Sequence, residues 1–152
     1  MLFDMMRSLS EIDVFYARIM LTVEQLKSQL SQFTGTDNYY KHWLGFQYTD
    51  GIKFLADNAE CYWLLDAIAS YQPTLRQNPR LRDFQLWLLV VGNEHEFIKP
   101  KEGNKAVLTC WEDTPSPGVK PAVCQQIEYT DFPLPVITLY LENRVLLLPS
   151  ES

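Results

Sequence analysis

The sequence predicts an α+β domain in which an antiparallel sheet of five to seven strands carries an N-terminal amphipathic helix and a buried, aromatic-rich helix. Three observations predict it. Apolar residues recur at helical spacing over 12–33, a second apolar segment covers 58–71, and residues 84–148 alternate short β-branched and aromatic runs with turn-forming residues. A chain of 152 residues can bury one such core without disulfides or a structural metal.

The first predicted helix carries apolar side chains every three or four positions along one face of residues 12–33. This spacing keeps the apolar stripe in line for several turns, so the helix needs a partner surface. We expect the stripe to pack on the domain's own sheet. A homodimer through a coiled coil of residues 12–33 is the alternative, because the same stripe fits a two-stranded seam.

A second start for this helix lies inside the stripe. Thr22, with Gln25 three positions later, makes a capping box, and Met20 precedes it closely. We therefore expect residues 1–20 to be a dispensable extension and residues 21–152 to form a single α+β domain. Whether translation begins at residue 1 or at Met20 is left open.

A β-hairpin is predicted next. The aromatic run at 39–48 favours a strand, Asp50-Gly51 is a strong hairpin-turn signal, and residues 52–55 provide the returning strand.

Asp57 then has the sequence context of an N-cap, with Glu60 at the third helical position, for the helix over 58–71. This helix is apolar nearly all round and is expected to be buried, and Pro73 ends it. Residues 73–83 are predicted to be a polar connector. Strands are then predicted at 84–91, 105–111, 122–129, 136–141 and 145–148, with an exposed proline-rich excursion at 114–121.

Charge and cysteine content exclude several classes of protein. A net charge of −6 argues against a general nucleic-acid-binding surface, which needs clustered lysine and arginine. The three cysteines are odd in number and lack the short spacing of a metal site, which indicates a reduced, cytoplasmic protein. No secretion signal is evident, and the longest apolar run, 86–91, is too short to cross a membrane.

Four residues are candidates for catalysis: His42, Asp50, Asp66 and Asp131. His42 is a candidate general base with Asp50 to orient it, and Asp66 is a carboxylate inside an apolar helix, where an unpaired charge is costly. Asp50 and Asp131 close two copies of the tripeptide Tyr-Thr-Asp and form a candidate carboxylate pair. Each also has a structural explanation, since aspartate favours turns and a helical carboxylate can lie on a wet stripe.

Metal and cofactor motifs are missing. Glu94-His95-Glu96 resembles a metal-binding fragment, but the chain has only two histidines and no cysteine at the spacing that a zinc site requires. There is no nucleophile elbow, phosphate-binding loop or dinucleotide fingerprint. We therefore expect neither a metal nor a cofactor.

A binding surface is predicted from the aromatic residues Tyr39, Tyr40 and Trp43, since exposed rings of this size are typical of interfaces. Cationic residues could extend this surface into a basic patch; they are Arg76, Arg80, Arg82, Lys99, Lys101 and Lys105. Stacking rings beside cations also suit single-stranded nucleic acid, but the acidic composition makes that the less favoured partner.

Several segments together resemble an uncharacterised family of small bacterial proteins from cyanobacteria, phages and plasmids. They are FTGT at 33–36, YYKH at 39–42, YTDGIKFLA at 48–56, YWLLD at 62–66, YTDFPL at 129–134 and LLLPSE at 146–151. The similarity covers residues 22–151. It implies a link to mobile genetic elements and no particular activity.

Two functions follow as expectations. The favoured one is a small non-enzymatic binding or accessory protein that contacts a protein partner through its aromatic surface, because every recognisable catalytic motif is missing. The alternative is a small hydrolase or metal-dependent enzyme that uses His42 with Asp50, Asp66 and Asp131. It requires these four side chains to meet in one cleft.

Overall fold

The computed structural model describes residues 23–152 and shows an α+β fold with one open, seven-stranded sheet. Its elements in chain order are helix α1 (23–31), strands β1 (Tyr39–Lys41) and β2 (Gln47–Thr49), helices α2 (Asp50–Asn58), α3 (Tyr62–Ser70), α4 (Gln72–Leu75) and α5 (Pro79–Asp83), strands β3 (Phe84–Val91), β4 (Ala106–Trp111), β5 (Val123–Ile127), β6 (Val136–Glu142) and β7 (Val145–Leu147), and a 3-10 helix (Pro149–Glu151).

The strand order is β1-β2-β7-β6-β3-β4-β5, and every neighbouring pair is antiparallel except β2 and β7, which are parallel. β3 lies between β6 and β4 and is buried at six of its eight positions. The predicted strand at 84–91 is therefore confirmed with its bounds, and the four predicted strands after it are present within two residues at either end.

The helices cover one face of the sheet. Trp87 and Leu89 of β3 point into the core on that face, where they join Ile52 of α2 and Leu64 and Ile68 of α3. Full burial of side chains of this size contributes about 1.5–3 kcal/mol each. The opposite face, on which Leu86, Leu88 and Val90 lie, has a smaller apolar cluster covered in part by Ile98 of the β3–β4 loop.

A fully buried pair of amides joins α4 to β3. Gln72 Nε2 donates to Gln85 Oε1 at 2.9 Å, and Gln85 Nε2 donates back to Gln72 Oε1 at 2.8 Å. Trp87 Nε1 donates to the same Gln85 oxygen, and the backbone oxygens of Ile68 and Leu81 accept from the two amides. All these polar groups are satisfied, so the pair ties the helical layer to the sheet at little desolvation cost.

The predicted hairpin turn at Asp50-Gly51 is wrong, because these residues open helix α2. Thr49 is the N-cap of that helix: its side-chain oxygen accepts from Ile52 N at 3.4 Å. The reversal of the chain lies earlier, within the predicted strand, where β1 and β2 form a hairpin around residues 42–46.

The predicted helix over 58–71 begins later and is shorter than expected. Asp57 lies near the end of α2 and is not an N-cap; it binds Lys53 and the hydroxyl of Tyr62. A left-handed residue, Glu60, with φ of 50°, separates α2 from α3. Pro73 occupies the first turn of α4, where its missing N–H is tolerated, so the expected polar connector holds two short helices.

The N-terminal helix is described only in part. Residues 23–31 are helical, with Leu26 and Leu30 buried in the main core. Positions 12–22 of the predicted helix, the capping residue Thr22 and the start at Met20 lie outside the described residues. None of the helices in residues 23–152 combines the length and the apolar character that a membrane span requires.

Candidate functional site

The loop that joins β1 to β2, residues 42–46, is the candidate site, and we call it the tip loop. His42 N donates to Phe46 O at 2.8 Å and Gly45 N donates to His42 O at 3.1 Å, which close the loop on itself. Gly45 has a φ of 109°, which a residue with a side chain rarely adopts, so glycine is required for this turn.

His42 fixes the tip loop through both ring nitrogens. Its Nδ1 accepts from Leu44 N at 3.0 Å, so its Nε2 carries the proton that is donated to Asp66 Oδ1 at 2.7 Å. The His42 side chain is only 6% exposed, and its ring stacks on that of Phe46 with centroids 4.8 Å apart. With both nitrogens engaged, His42 has no free lone pair for a substrate, and its role is to hold the loop.

Asp66 is the partner that anchors His42 to helix α3. It lies on the one polar stripe of that helix, with Tyr62 one turn before it and Ser70 one turn after, and its side chain is 56% exposed. The carboxylate thus keeps contact with water while it binds the histidine. The wet-stripe explanation for this residue holds, and α3 is not apolar all round.

The tip of the loop presents apolar surface to solvent. Trp43 is 80% exposed and Leu44 beside it is also exposed. The Trp43 ring lies nearly parallel to the His42 ring, with centroids 6.0 Å apart and planes at 20°. A large aromatic ring is therefore displayed on a loop whose base is hydrogen-bonded and packed.

Two arginines converge on the same loop from other elements. Arg144, in the turn between β6 and β7, donates from Nη2 to Gly45 O at 2.6 Å, and Nη2 of Arg76 lies 3.4 Å from the same oxygen. Arg82 is adjacent, since its Nε donates to Arg76 O at 3.0 Å. Within residues 23–152, no carboxylate lies within 4.0 Å of any of these three guanidinium groups.

The proximity of Arg76 and Arg144 has an electrostatic consequence. Burial, and then repulsion from the Arg144 charge, lower the pKa of Arg76. Beside Arg144 is a cavity of about 320 Å³, whose lining also includes Lys41, His42 and Phe46. The site is thus locally cationic in a chain whose net charge is −6.

The other two catalytic candidates lie in different surroundings. Asp50 accepts hydrogen bonds from Asp37 N, from the backbone and side chain of Asn38, and from the Tyr40 hydroxyl. Partial desolvation acts against ionisation there, but these donors outweigh it and lower the pKa of Asp50. Its role in the structure is to fasten the α1–β1 loop to the start of α2.

Asp131 is exposed and lines a separate cavity with Leu26 of α1 and Phe54 of α2. The structure therefore brings His42 and Asp66 together. Asp50 binds residues of the α1–β1 loop and β1 instead, and Asp131 lines a different cavity. In residues 23–152, no three His, Cys, Asp or Glu side chains are grouped closely enough to hold a metal ion.

The predicted binding residues are divided between several places. Trp43 and Arg76 belong to the tip-loop region, and Tyr39 on the edge strand β1 is 57% exposed. Tyr40 is half-buried, with its ring stacked on Tyr48 and the Lys53 ammonium over it. The other two predicted arginines differ: Arg82 joins Arg76, whereas Arg80 pairs with Glu112 near the end of β4 at 3.3 Å.

Sequence reasoning missed Arg144, Gly45 and Phe46. The signal for Arg144 was available, because only residues 142–144 separate the strands predicted at 136–141 and 145–148, and this is a length typical of a hairpin turn. Nothing in the sequence places that turn beside the tip loop. The parallel pairing of β2 with β7 does so, and Gln47 N donates to Arg144 O at 3.0 Å across it.

Comparison with protein families identifies the family of this chain. The model of a family of unknown function, DUF6876, matches residues 24–152, so the chain belongs to that family. No curated protein and no solved structure matches the chain.

Proposed function

We propose that this family member is a non-catalytic binding protein that attaches to a protein partner through the tip loop, with Trp43 as the anchor. One observation carries the proposal: Trp43 is 80% exposed on a loop that His42 ties to helix α3 and to its own backbone through hydrogen bonds. An exposed tryptophan gives up the burial that usually stabilises a fold, and tryptophan is among the residues most enriched at binding hot spots.

The hydrogen bonds that hold the tip loop support the same function. Association loses less conformational entropy when the contact residues are already ordered, so a preorganised anchor binds more tightly than a mobile one. The His42–Asp66 and His42–Leu44 hydrogen bonds supply this order from helix α3 and from within the loop. Leu44 and the exposed Tyr39 enlarge the apolar surface around the anchor.

The hydrolase alternative finds less support. Its general base, His42, has both ring nitrogens engaged, and Asp50 and Asp131 have other neighbours. The binding proposal uses the same histidine in a role that its geometry suits, as the support of the displayed ring.

The proposal extends to compartment and origin. All three cysteines are free, and burial raises the pKa of Cys61 and Cys110 to about 12, which keeps both thiols protonated and inert. Unpaired cysteines, one of them exposed, suit a reducing cytoplasm. The resemblance to proteins of phages and plasmids suggests an accessory role in a mobile genetic element.

The test is an affinity capture from host lysate with the full chain and two variants. Trp43→Ala removes the anchor, and Tyr129→Ala removes another exposed aromatic ring from the loop before β6 as a matched control. We expect the partner captured by the wild type and by Tyr129→Ala to be lost with Trp43→Ala, whose Kd should rise about thirtyfold, the equivalent of a hot-spot loss of about 2 kcal/mol.

Thermal unfolding of the variants separates binding from folding, since both substitutions are at exposed side chains and should leave the midpoint unchanged. A partner that binds Trp43→Ala as well as the wild type would show that the tip loop is not the contact.

A further inference from the structure

The turn that carries Arg144 has an unusual residue choice. Glu142 pairs with Val145, so Asn143 and Arg144 alone connect β6 to β7. Their φ values are 49° and 68°, the left-handed conformation of a type I′ turn. Glycine is the favoured residue at the second of these positions, and a residue with a side chain is strained there. The strained turn carries a side chain whose guanidinium lies beside the tip loop, at Gly45 O.

The guanidinium groups at this place retain unused hydrogen-bonding capacity. Each guanidinium has five N–H donors, and the recorded contacts of Arg144 and Arg76 within residues 23–152 are with the single acceptor Gly45 O. The two groups repel each other, and burial and this repulsion lower the pKa of Arg76. Lys41, which lines the same cavity, adds a third cation. An anion bound between Arg144 and Arg76, next to Gly45, would relieve the repulsion and engage the free donors.

We infer that the partner segment bound at the tip loop carries an aspartate or glutamate whose carboxylate is held by Arg144 and Arg76, beside an apolar residue packed on Trp43. This inference rests on the proposed function. Planar guanidinium donors match a carboxylate in bidentate geometry, and such charge-assisted bonds are about twice as strong as neutral ones. An acidic peptide with an adjacent apolar side chain therefore fits the paired surfaces.

A peptide is favoured over a nucleic acid by charge and by size. The cationic cluster is small, with a cavity of about 320 Å³, and it lies on a chain of net charge −6. A polyphosphate strand needs cations along its whole length, whereas one carboxylate needs only this cluster.

The test uses random dodecapeptides displayed on phage and selected against the full-length protein. The best binder is synthesised with a fluorescent label, together with a copy in which each acidic residue is replaced by its amide, and Kd values are measured by anisotropy. We expect acidic residues to be enriched, and the amide copy to bind at least about tenfold more weakly.

Three variants assign the effect. Arg144→Gly should bring the Kd values of the acidic peptide and its amide copy together without lowering the midpoint of thermal unfolding, because glycine suits the turn. Arg80→Gln makes the same charge change at an arginine already paired with Glu112 and should retain the preference for the acidic peptide. Trp43→Ala should weaken the binding of both peptides.

The outcomes separate the inference from the proposed function. If Trp43→Ala weakens binding but the wild type binds acidic and amide peptides equally, the tip loop is a binding site and the acidic partner is refuted. If Trp43→Ala has no effect, or no peptide is selected, the proposed function fails and the inference fails with it. Tighter binding of a fluorescent thymidine oligonucleotide than of the selected peptide would overturn the acidic-peptide inference in favour of nucleic acid.

Discussion

Glu151, in the 3-10 helix that follows β7, should be one of the most important surface side chains for stability. Its Oε1 accepts from the Thr49 hydroxyl at 2.6 Å and from Leu148 N at 3.0 Å, and its Oε2 accepts from Gly51 N at 3.2 Å. Thr49, the N-cap of α2, and Gly51, in its first turn, are both buried. The carboxylate thus caps a helix a hundred positions earlier in the chain and faces the positive end of its dipole.

The expected loss of stability in Glu151→Ala follows from the hydrogen-bond donors that would be left without an acceptor. A buried donor left without a partner costs about 1–3 kcal/mol, and the lost helix-dipole interaction adds about 0.3–1 kcal/mol. Because Glu151 is half-exposed, water can reach part of the vacated space, so the lower part of the range applies for the two buried donors. We expect a loss of about 3 kcal/mol, which for a domain of this size lowers Tm by about 6–12 °C.

Urea and thermal unfolding followed by far-UV circular dichroism measure this loss. Glu151→Gln keeps the shape and one acceptor oxygen but turns an NH₂ group toward a donor, so it should lose about half as much as Glu151→Ala. Ser150→Ala, at the exposed neighbouring residue, should change the free energy of unfolding by less than about 0.5 kcal/mol. A loss below about 1 kcal/mol for Glu151→Ala would refute the long-range cap.

Four further predictions concern single residues. Gly51→Ala would place a Cβ 2.5 Å from an oxygen of Glu151 and should cost about 1–3 kcal/mol in urea unfolding, despite the helix propensity of alanine. His42→Phe keeps the stacked ring but loses both hydrogen bonds, so hydrogen exchange of the tip-loop amides should accelerate about tenfold or more while the sheet stays protected. The pKa of Asp50 in the folded protein is lowered below the usual 3.8, so its ionised carboxylate stabilises the fold at neutral pH, and this stabilisation is lost as the pH falls through that lowered pKa. The free energy of unfolding that Asp50→Asn loses at pH 7 should therefore become smaller in unfolding curves measured in acid. Gln85→Leu leaves the buried Gln72 Oε1 without its donor and the buried Trp87 indole N–H without its acceptor, and should cost about 3 kcal/mol in urea unfolding, unlike the small effect expected of an exposed glutamine.

Much of the fold could be predicted because its central strands depend on local pattern. The run from Phe84 to Val91 is apolar at nearly every position, as a strand covered on both faces must be, and it forms β3 as expected. The hairpin turn predicted at Asp50-Gly51 was wrong because residues distant in the sequence determine the conformation there. The carboxylate of Glu151 and the hydroxyl of Thr49 cap a helix that begins at this point. A turn rule based on neighbouring residues takes no account of a contact with residue 151.

The candidate site shows the same division between local and distant determinants. Asp66 was identifiable as a charge in an apolar segment, and His42 as a rare titratable residue, but their pairing depends on where α3 packs against the hairpin. Trp43 was assigned to a binding surface from residue type alone, and its exposure agrees with that assignment. Arg144 was missed because the parallel pairing of β2 with β7 places it beside the tip loop, and no local sequence pattern predicts that pairing.

The tip loop and the α2 cap have opposite effects on the stability of the fold, and this difference is a reason to assign binding to the loop. Arg144 in a left-handed conformation costs about 1 kcal/mol relative to glycine, and Trp43 leaves its ring in water. The Glu151 cap and the buried Gln72–Gln85 pair act in the opposite direction, since each satisfies buried donors and stabilises the scaffold. Features that reduce stability persist where they serve another role. Both of these features lie at the tip loop, because Trp43 is part of it and Arg144 binds its Gly45 O. Arg144→Gly should therefore leave the free energy of unfolding unchanged or raise it, whereas Glu151→Ala should lower it.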